Sequence, residues 1–289
     1  AKNNPVSLES GTSHKMQLVT GPANATDHRI KWTSSNKTAA TVDENGTVTA
    51  LRPIETVTIT AVYKTNPALT CSWNLKITRT KGYITKQMLD NLDLTSIKKV
   101  MITAHPDDET LWGGGHLIEG EYLVVCMTHG WNPKRRTAFE QTMRTTNDKY
   151  LILDYPDVRK TFSNGKYETD MLSTCKNAMQ EDINLILSYK KWDLIATHNP
   201  FGEYGKFLHK TISQMVTQCY NKMTNKSATL YYFGRYYNSS NKIPGEQIAP
   251  ELLAIKNSMV GRYYPTAKGA IDAFGHMIPY ENWLLPSEW

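Results

Sequence analysis

Apolar and polar residues alternate with a period of two through the first eighty residues. Beyond them, helical spacing is interrupted by short apolar runs. In the first stretch the clearest strand is 56–63, where Val57, Ile59 and Ala61 alternate with Thr56, Thr58 and Thr60. Residues 72–77 alternate likewise, and Trp32-Thr33-Ser34-Ser35-Asn36 reads as an aromatic strand end followed by a polar turn. The β-branched runs Thr41-Val42 and Thr47-Val48-Thr49-Ala50 flank Asp43-Glu44-Asn45-Gly46, and Asn-Gly in that setting predicts a hairpin. Short strands with frequent turns predict a small all-β sandwich.

Beyond Thr80-Lys81-Gly82 the period changes. Residues 83–96 read as a polar or helical lead-in carrying Met88, Leu89, Leu92 and Leu94. Strands at 99–103, 122–127, 151–153, 193–197 and 229–233 then alternate with helices. One helix follows the first strand, and others are expected near 135–150, 168–190, 206–222 and 250–263. In 168–190, Met171, Leu172, Cys175, Met179, Ile183 and Ile186 recur at helical spacing. Alternation of this kind predicts an α/β domain with a mostly parallel sheet, whose ligands sit at the strand C-termini. The expected plan is therefore 1–80 all-β, 81–95 lead-in and 96–289 α/β.

Two strand-end loops carry histidine. The first is Ala104-His105-Pro106-Asp107-Asp108-Glu109, ahead of Gly113-Gly114-Gly115. The second runs from His198-Asn199-Pro200 through Gly202-Glu203-Tyr204-Gly205-Lys206 to His209. In a strand-to-helix turn, His105 and Asp108, three apart, can aim at one point. His209, in the first turn of a later helix, can complete the set. Two imidazoles and one carboxylate leave an open position, as catalytic zinc sites do. Water bound there has a pKa near 7, and Asp107 beside the ligands is a candidate general base. The alternative is that His105 and the aspartates cap the helix. Glu109 is expected to support the turn. His198 is expected to order the second loop, and His129 can border the pocket.

These residues carry two resemblances. Trp32–Asn36 with Ala40–Ala50 resembles the bacterial Ig-like group 2 domain over about residues 5–79. That resemblance implies a secreted or cell-surface protein and a spacer or attachment role, with no catalytic residues. Ala104–Glu109, with the second loop ending at His209, resembles the signatures of the PIG-L/LmbE-type zinc-dependent deacetylases over about residues 96–285. It implies zinc held by His105, Asp108 and His209, Asp107 as general base, and Tyr204 as a donor to the acetyl oxygen. The implied reaction is removal of the N-acetyl group from an amino sugar or glycoconjugate. Arg135 and Asp157 are implied substrate contacts, although Ala138 stands where the family has glutamate. Lys206 stands where the family has histidine. It can supply positive charge and a proton, or mark a non-catalytic carbohydrate binder that retains the fold. The expected fold class is α/β, a Rossmann-like mostly parallel sheet with flanking helices, preceded by an Ig-like sandwich.

Bulk properties narrow this further. With 289 residues and 40% hydrophobic content, both domains can bury a core. No run of eighteen apolar residues exists, so no membrane span is expected. The chain begins at Ala1, as expected of a processed or trimmed chain. The net charge of +6 is uneven, +4 of it on residues 1–80, but forms no basic patch interleaved with aromatics, so nucleic acid is not an expected partner. Cys71, Cys126, Cys175 and Cys219 form no CxxC pair. Cys126 reads as a buried thiol, and a bridge between Cys175 and Cys219 is one pairing the sequence allows.

Overall fold

A computed structural model of the chain describes residues 4–21, 27–158, 169–224 and 226–289. They form two compact units. One comprises the residues up to Gly82 with the described part of Val158–Ala178; the other comprises Tyr83–Asp157 and Met179–Trp289. A linear reading of consecutive domains does not anticipate the grouping of 169–178 with the first unit.

The first unit contains β1 (Ser7–Glu9), β2 (Ser13–Lys15), β3 (Ile30–Ser34), β4 (Ala40–Val42), β5 (Thr47–Ala50), β6 (Ile54–Tyr63) and β7 (Thr70–Thr78). They form two sheets, ordered β1-β7-β6-β3 and β2-β5-β4. The alternation places Val57, Ile59, Leu75 and Ile77 of one sheet with Val48 and Ala50 of the other in a common core. At the expected hairpin, Asp43 Oδ1 accepts from the backbone N–H groups of Asn45 (2.9 Å) and Thr47 (2.7 Å). Gly46 takes φ +79°, and a Cβ there would lie 2.6 Å from the Trp32 ring. The turn thus needs glycine for its dihedral and for its clearance.

The second part of the chain carries α1 (Lys86–Asn91), β8 (Lys99–Thr103), α2 (Asp108–Glu119), β9 (Tyr122–Thr128), α3 (Pro133–Thr146) and β10 (Lys149–Tyr155). There follow α4 (Lys176–Tyr189), β11 (Leu194–Thr197), α5 (Gly202–Gly205), α6 (Phe207–Lys222), β12 (Thr229–Tyr232) and α7 (Pro250–Phe274). The strands form one sheet in the order β10-β9-β8-β11-β12. Every pairing in it is parallel. The chain steps outward from β8 to β10, then crosses back to β11 on the other side. Strand order reverses between β8 and β11, and beyond the C-terminal ends of such strands is where open parallel sheets place their ligands.

Three boundaries and one pairing differ from expectation. The helix expected over 135–150 ends at Thr146, because Asn147 adopts a left-handed φ of 59° and caps it; Lys149 and Tyr150 begin β10. In 168–190, Glu168 lies outside the described residues, and a short 3-10 turn at Thr169–Thr174 precedes α4. The helix expected to end near Tyr263 runs to Phe274, through Pro265 and a non-helical Ala267. Its buried stripe, Met259, Val260, Tyr263, Ala267, Ile271 and Phe274, continues past the proline. Packing along that stripe outweighs the local cost of the ring. Cys175 and Cys219 are free thiols, as are Cys71 and Cys126, which is buried.

A buried ion pair anchors α7 to α2. Lys256 is fully buried, and its Nζ lies 2.6 Å from Glu281 Oε1. Glu281 also accepts from the backbone N–H groups of Gly115 (2.6 Å) and His116 (3.1 Å). Those donors are released by a kink at Gly113, where the helix geometry breaks. Glycine is required along this stretch by contact. A Cβ at Gly113 would lie 2.7 Å from Met101 Cε, one at Gly114 2.9 Å from Lys256 Cγ, and one at Gly115 3.1 Å from Glu281 Oε2. Replacing Lys256 with Met leaves Glu281 buried without its cation. Urea denaturation is expected to show a loss of about 3–5 kcal/mol; a change under about 1 kcal/mol would contradict this account.

Candidate metal centre

The two histidine loops lie side by side because β8 and β11 are paired neighbours. Side chains tie their ends together. Thr128 Oγ1 donates to Ala104 O at 2.7 Å, and Thr197 Oγ1 donates to Ile102 O at 2.9 Å. The Ala104 N–H donates to His198 Nε2 at 2.9 Å.

His105, Asp108 and His209 meet at one buried point. His105 Nδ1 lies 3.0 Å from His209 Nε2 and 3.3 Å from Asp108 Oδ2. The third edge, His209 Nε2 to Asp108 Oδ2, is 3.4 Å. Tetrahedral zinc with bonds of about 2.0–2.2 Å separates its ligand atoms by roughly 3.3–3.5 Å. Two of the three edges match that span and the third is about 0.3 Å shorter, so the triangle is close to the size such an ion needs. Its chemistry fits too, since the outer nitrogen of each imidazole is already committed. His105 Nε2 donates to Asp157 Oδ1 at 2.9 Å, and His209 Nδ1 donates to Glu203 Oε2. Each ring thus turns its other nitrogen inward, the arrangement by which carboxylates orient metal-binding histidines. Asp108 Oδ2 also accepts from the His105 backbone N–H at 2.7 Å.

His198 is not a further ligand. Its Nδ1 donates to Glu203 Oε2 at 3.0 Å, and its Nε2 is taken by the Ala104 N–H. Burial opposes charge on this ring, while Glu203 and Asp108 outweigh it electrostatically and push it up to about 9. The Ala104 donor decides the matter, because it needs a lone pair on Nε2. His198 is neutral and stacks on His209, with ring centroids 3.8 Å apart. It orders the second loop, as expected.

The surrounding charges call for a cation. Burial disfavours a charged His105, but Asp157 and Asp108 outweigh it and push the ring up to about 10. Burial holds His209 down to about 4. Burial opposes ionisation of Asp108, but its carboxyl is held well below the usual range, with the His105 backbone N–H and ring among its partners. Asp107, buried and next to Asp108, is pushed up to about 7.

The backbone around these groups is unusual. Asp107 has φ 138°, His129 φ 66° and Glu203 φ 55°. Asp107 occupies the cap position of α2 but makes no side-chain capping bond, so the helix-cap alternative does not account for it. Its backbone N–H donates to Glu109 Oε2 at 3.1 Å, and Glu109 Oε1 accepts from Tyr263 OH at 2.6 Å. Glu109 therefore supports the turn. Glu203 is held by Asn199, whose Oδ1 accepts the Glu203 N–H and whose own N–H donates to Glu203 Oε1, both at 3.0 Å.

The remaining expected residues fall around this core. Arg135 Nη1 donates to Pro106 O at 3.2 Å and lies 3.8 Å from Asp107 Oδ2; Nη2 donates to Thr266 O at 3.1 Å. Its guanidinium is engaged with the loop. Asp157 sits on the outer edge of His105, with its other oxygen 3.7 Å from His129 Nε2. Tyr204 is 40% exposed, its ring 6.0 Å edge-on from His209 and 4.5 Å from Phe274. Lys206 Nζ lies 5.9 Å from the Tyr204 ring centre. Sequence reasoning gave no role to Glu203. Its only signal was a buried-loop acid flanked by glycines six residues before His209. Tyr263, which reaches the first loop from α7, carried no signal at all.

Residues 2–72 match the family model of the bacterial Ig-like domain (group 2). An uncharacterized protein of Acanthamoeba polyphaga mimivirus is 31% identical over 175 residues, spanning 55% of this chain and 67% of that protein. The chain belongs to the family of this viral protein. An uncharacterized protein of Clostridium acetobutylicum is 32% identical over 112 residues, 38% of this chain but only 11% of that much longer relative. Among solved structures, a conserved protein of Thermus thermophilus aligns with a TM-score of 0.46 at 12% identity, covering 67% of this chain and 96% of its own. A bacterial Ig-like domain-containing GH10 xylanase from termite gut aligns with a TM-score of 0.23 at 14% identity, covering 94% and 68%. At such scores neither likeness informs function. No helix among the described residues is long and apolar enough to cross a membrane.

Replacing Glu203 with Gln removes the acceptor that orients His209. Zinc affinity, measured by competition with a chromophoric chelator, is expected to fall about 10–100-fold. Circular dichroism should stay unchanged. Unaltered affinity would mean that Glu203 does not position the ligand.

Proposed function

We propose that the second unit is a zinc-dependent hydrolase that removes the N-acetyl group from an N-acetylated amino sugar or glycoconjugate. On this reading the parallel sheet is the Rossmann-like fold of the PIG-L/LmbE-type deacetylases, occupying 96–289, after a lead-in at 81–95. The Ig-like domain over 1–80 serves as a spacer or attachment module of a secreted or cell-surface protein. The supporting observation is the triangle of His105 Nδ1, Asp108 Oδ2 and His209 Nε2, with a carboxylate behind each imidazole and Asp107 beside it.

His105, Asp108 and His209 would hold the ion. Zinc there would supply Lewis acidity toward the amide carbonyl and would lower the pKa of water to about 7. Asp107 takes the proton from the attacking water and returns it to the departing amine. Arg135, 3.8 Å from its carboxylate, and the backbone bond to Glu109 hold Asp107 in the turn. Tyr204, at the edge of His209, donates to the oxygen that gains charge. Lys206 adds positive charge on the same side. Asp157 and Glu203 fix the two rings and exchange no proton with substrate.

The test is acetate release from a panel of N-acetylated sugars by the zinc-loaded chain. Asp107→Asn is expected to lower kcat about 10²–10⁴-fold with zinc content unchanged. If the zinc-loaded wild type releases no acetate from any member of the panel, the hydrolase reading fails. The lysine at 206 then marks a carbohydrate binder.

A further inference from the structure

We propose that Tyr263 of α7, acting through Glu109, is a positioning residue that fixes Asp107 at the metal centre, and that Arg135, held by the Thr266 carbonyl three residues on, fixes the same side chain from its other end. This rests on the hydrolase reading for the proton that Asp107 moves. It extends control of that proton transfer to a helix 154 residues further along the chain.

Asp107 has φ 138° and ψ −29°, outside the regions open to a residue with a Cβ. Such a conformation persists only where the surroundings impose it. Most bonds around it are internal to the turn and move with it. The Asp107 carbonyl accepts from the N–H groups of Thr110 (3.1 Å) and Leu111 (2.9 Å). Glu109 Oε2 accepts the Asp107 N–H at 3.1 Å, and Glu109 Oε1 accepts from Thr110 Oγ1 at 2.7 Å. The Tyr263 hydroxyl, 2.6 Å from Glu109 Oε1, comes from another element and ties this set to the rest of the fold. Glu109 and Tyr263 are both wholly buried, so no water competes for their bond. The Tyr263 ring belongs to the core cluster that includes Leu111, Phe139 and Val260, which leaves the hydroxyl one place to point.

The second grip acts on the carboxylate. Arg135 Nη1 lies 3.8 Å from Asp107 Oδ2 and donates to Pro106 O at 3.2 Å, while Nη2 donates to Thr266 O at 3.1 Å. Thr266 stands at the break in α7, where Ala267 takes φ −132°. Carbonyls at such a break lose their helical donors and take side-chain partners. A guanidinium committed to two carbonyls keeps its charge beside Asp107 in one orientation. A general base works only within hydrogen-bond reach of its proton, and a displacement of about 1 Å costs on the order of 10²-fold in rate. Asp108 is tied separately, to the His105 backbone N–H at 2.7 Å, so the metal ligands stay in place when the grip on Asp107 is released.

The experiment uses the zinc-loaded full chain and reads acetate release together with amide hydrogen exchange by mass spectrometry. Tyr263→Phe keeps the ring and removes the hydroxyl. Exchange over residues 104–111 is expected to speed up while that over 198–209 is unchanged. The value of kcat should fall about 10–100-fold, with KM and zinc content unchanged. In an Asp107→Asn background the same substitution should cost nothing further, because its effect passes through that residue. Arg135→Met should also lower kcat at constant KM. Unchanged exchange and kcat in Tyr263→Phe, or faster exchange in both loops alike, overturns the proposal. So does an equal loss of rate in the Asp107→Asn background, or a raised KM with kcat unchanged in Arg135→Met. Faster exchange confined to 104–111 in a chain that releases no acetate upholds the grip and rejects the hydrolase reading. Acetate release that Tyr263→Phe leaves undiminished does the reverse.

Discussion

One carboxylate oxygen, Glu203 Oε2, accepts from two imidazoles and so decides where both point. His198 carries that constraint to the Ala104 N–H, next to His105. His209 carries it inward to the nitrogen facing His105. The result is a closed circuit running from the end of β8 through the loop after β11 to the first turn of α6 and back. Sequence separations of about a hundred residues are bridged by hydrogen bonds among groups with almost no solvent exposure. In that environment each bond is stronger than in water, and each missing partner is costlier. The inward nitrogens of the triangle are consequently aimed at one point by bonds already made on the outer edges of the rings.

Holding this circuit requires backbone that proteins avoid elsewhere. Five non-glycine residues among those described have positive φ, and Asp107, His129 and Glu203 are three of them. Such conformations persist only where surroundings over-determine them. Here the surroundings are identifiable. Asn199 clamps Glu203, Glu109 and Tyr263 clamp Asp107, and the turn to β10 clamps His129. Much of this bracing comes from α7 and the C-terminal segment after it. Tyr263 OH reaches Glu109, Thr266 O fixes Arg135, and Lys256 with Glu281 locks the second half of α2. The C-terminal helix thus works as the back wall of the site.

The parts of this arrangement that the sequence revealed are those with local signatures. Asn45-Gly46 predicted its hairpin because turn geometry is set by adjacent residues. Ala104–Glu109 and His209 stood out because strand-end histidines and paired aspartates are rarely placed together without use. The alternating pattern gave the parallel sheet and hence the adjacency of the two loops. What stayed hidden was carried by pairs far apart in the chain. Glu109 finds Tyr263, and Gly115 finds Glu281, across more than 150 residues. No periodicity encodes such partners. Asn147 ended α3 early through a single left-handed residue, and the stripe of α7 outlasted Pro265 because tertiary packing overrides a local breaker. Glu203 was visible as a letter in a loop, but its role is defined only by the two rings it meets.

Lys206 is the residue whose meaning changes most once the circuit is seen. The deacetylase family that these loops resemble has a histidine there, close in sequence to the last ligand. In this chain the ligand does not depend on that position. His209 is oriented by Glu203 and stacked by His198, and neither interaction involves residue 206. A lysine can therefore replace the histidine without loosening the metal triangle. Its half-buried ammonium is instead directed at the Tyr204 ring. Tyr204 in turn packs on Phe274 at the end of α7. The substitution alters the charge facing the phenol at the rim, not the donors at the centre. The orientation of His209 and the charge beside Tyr204 thus reside in separable groups, and the second can vary while the first stays fixed.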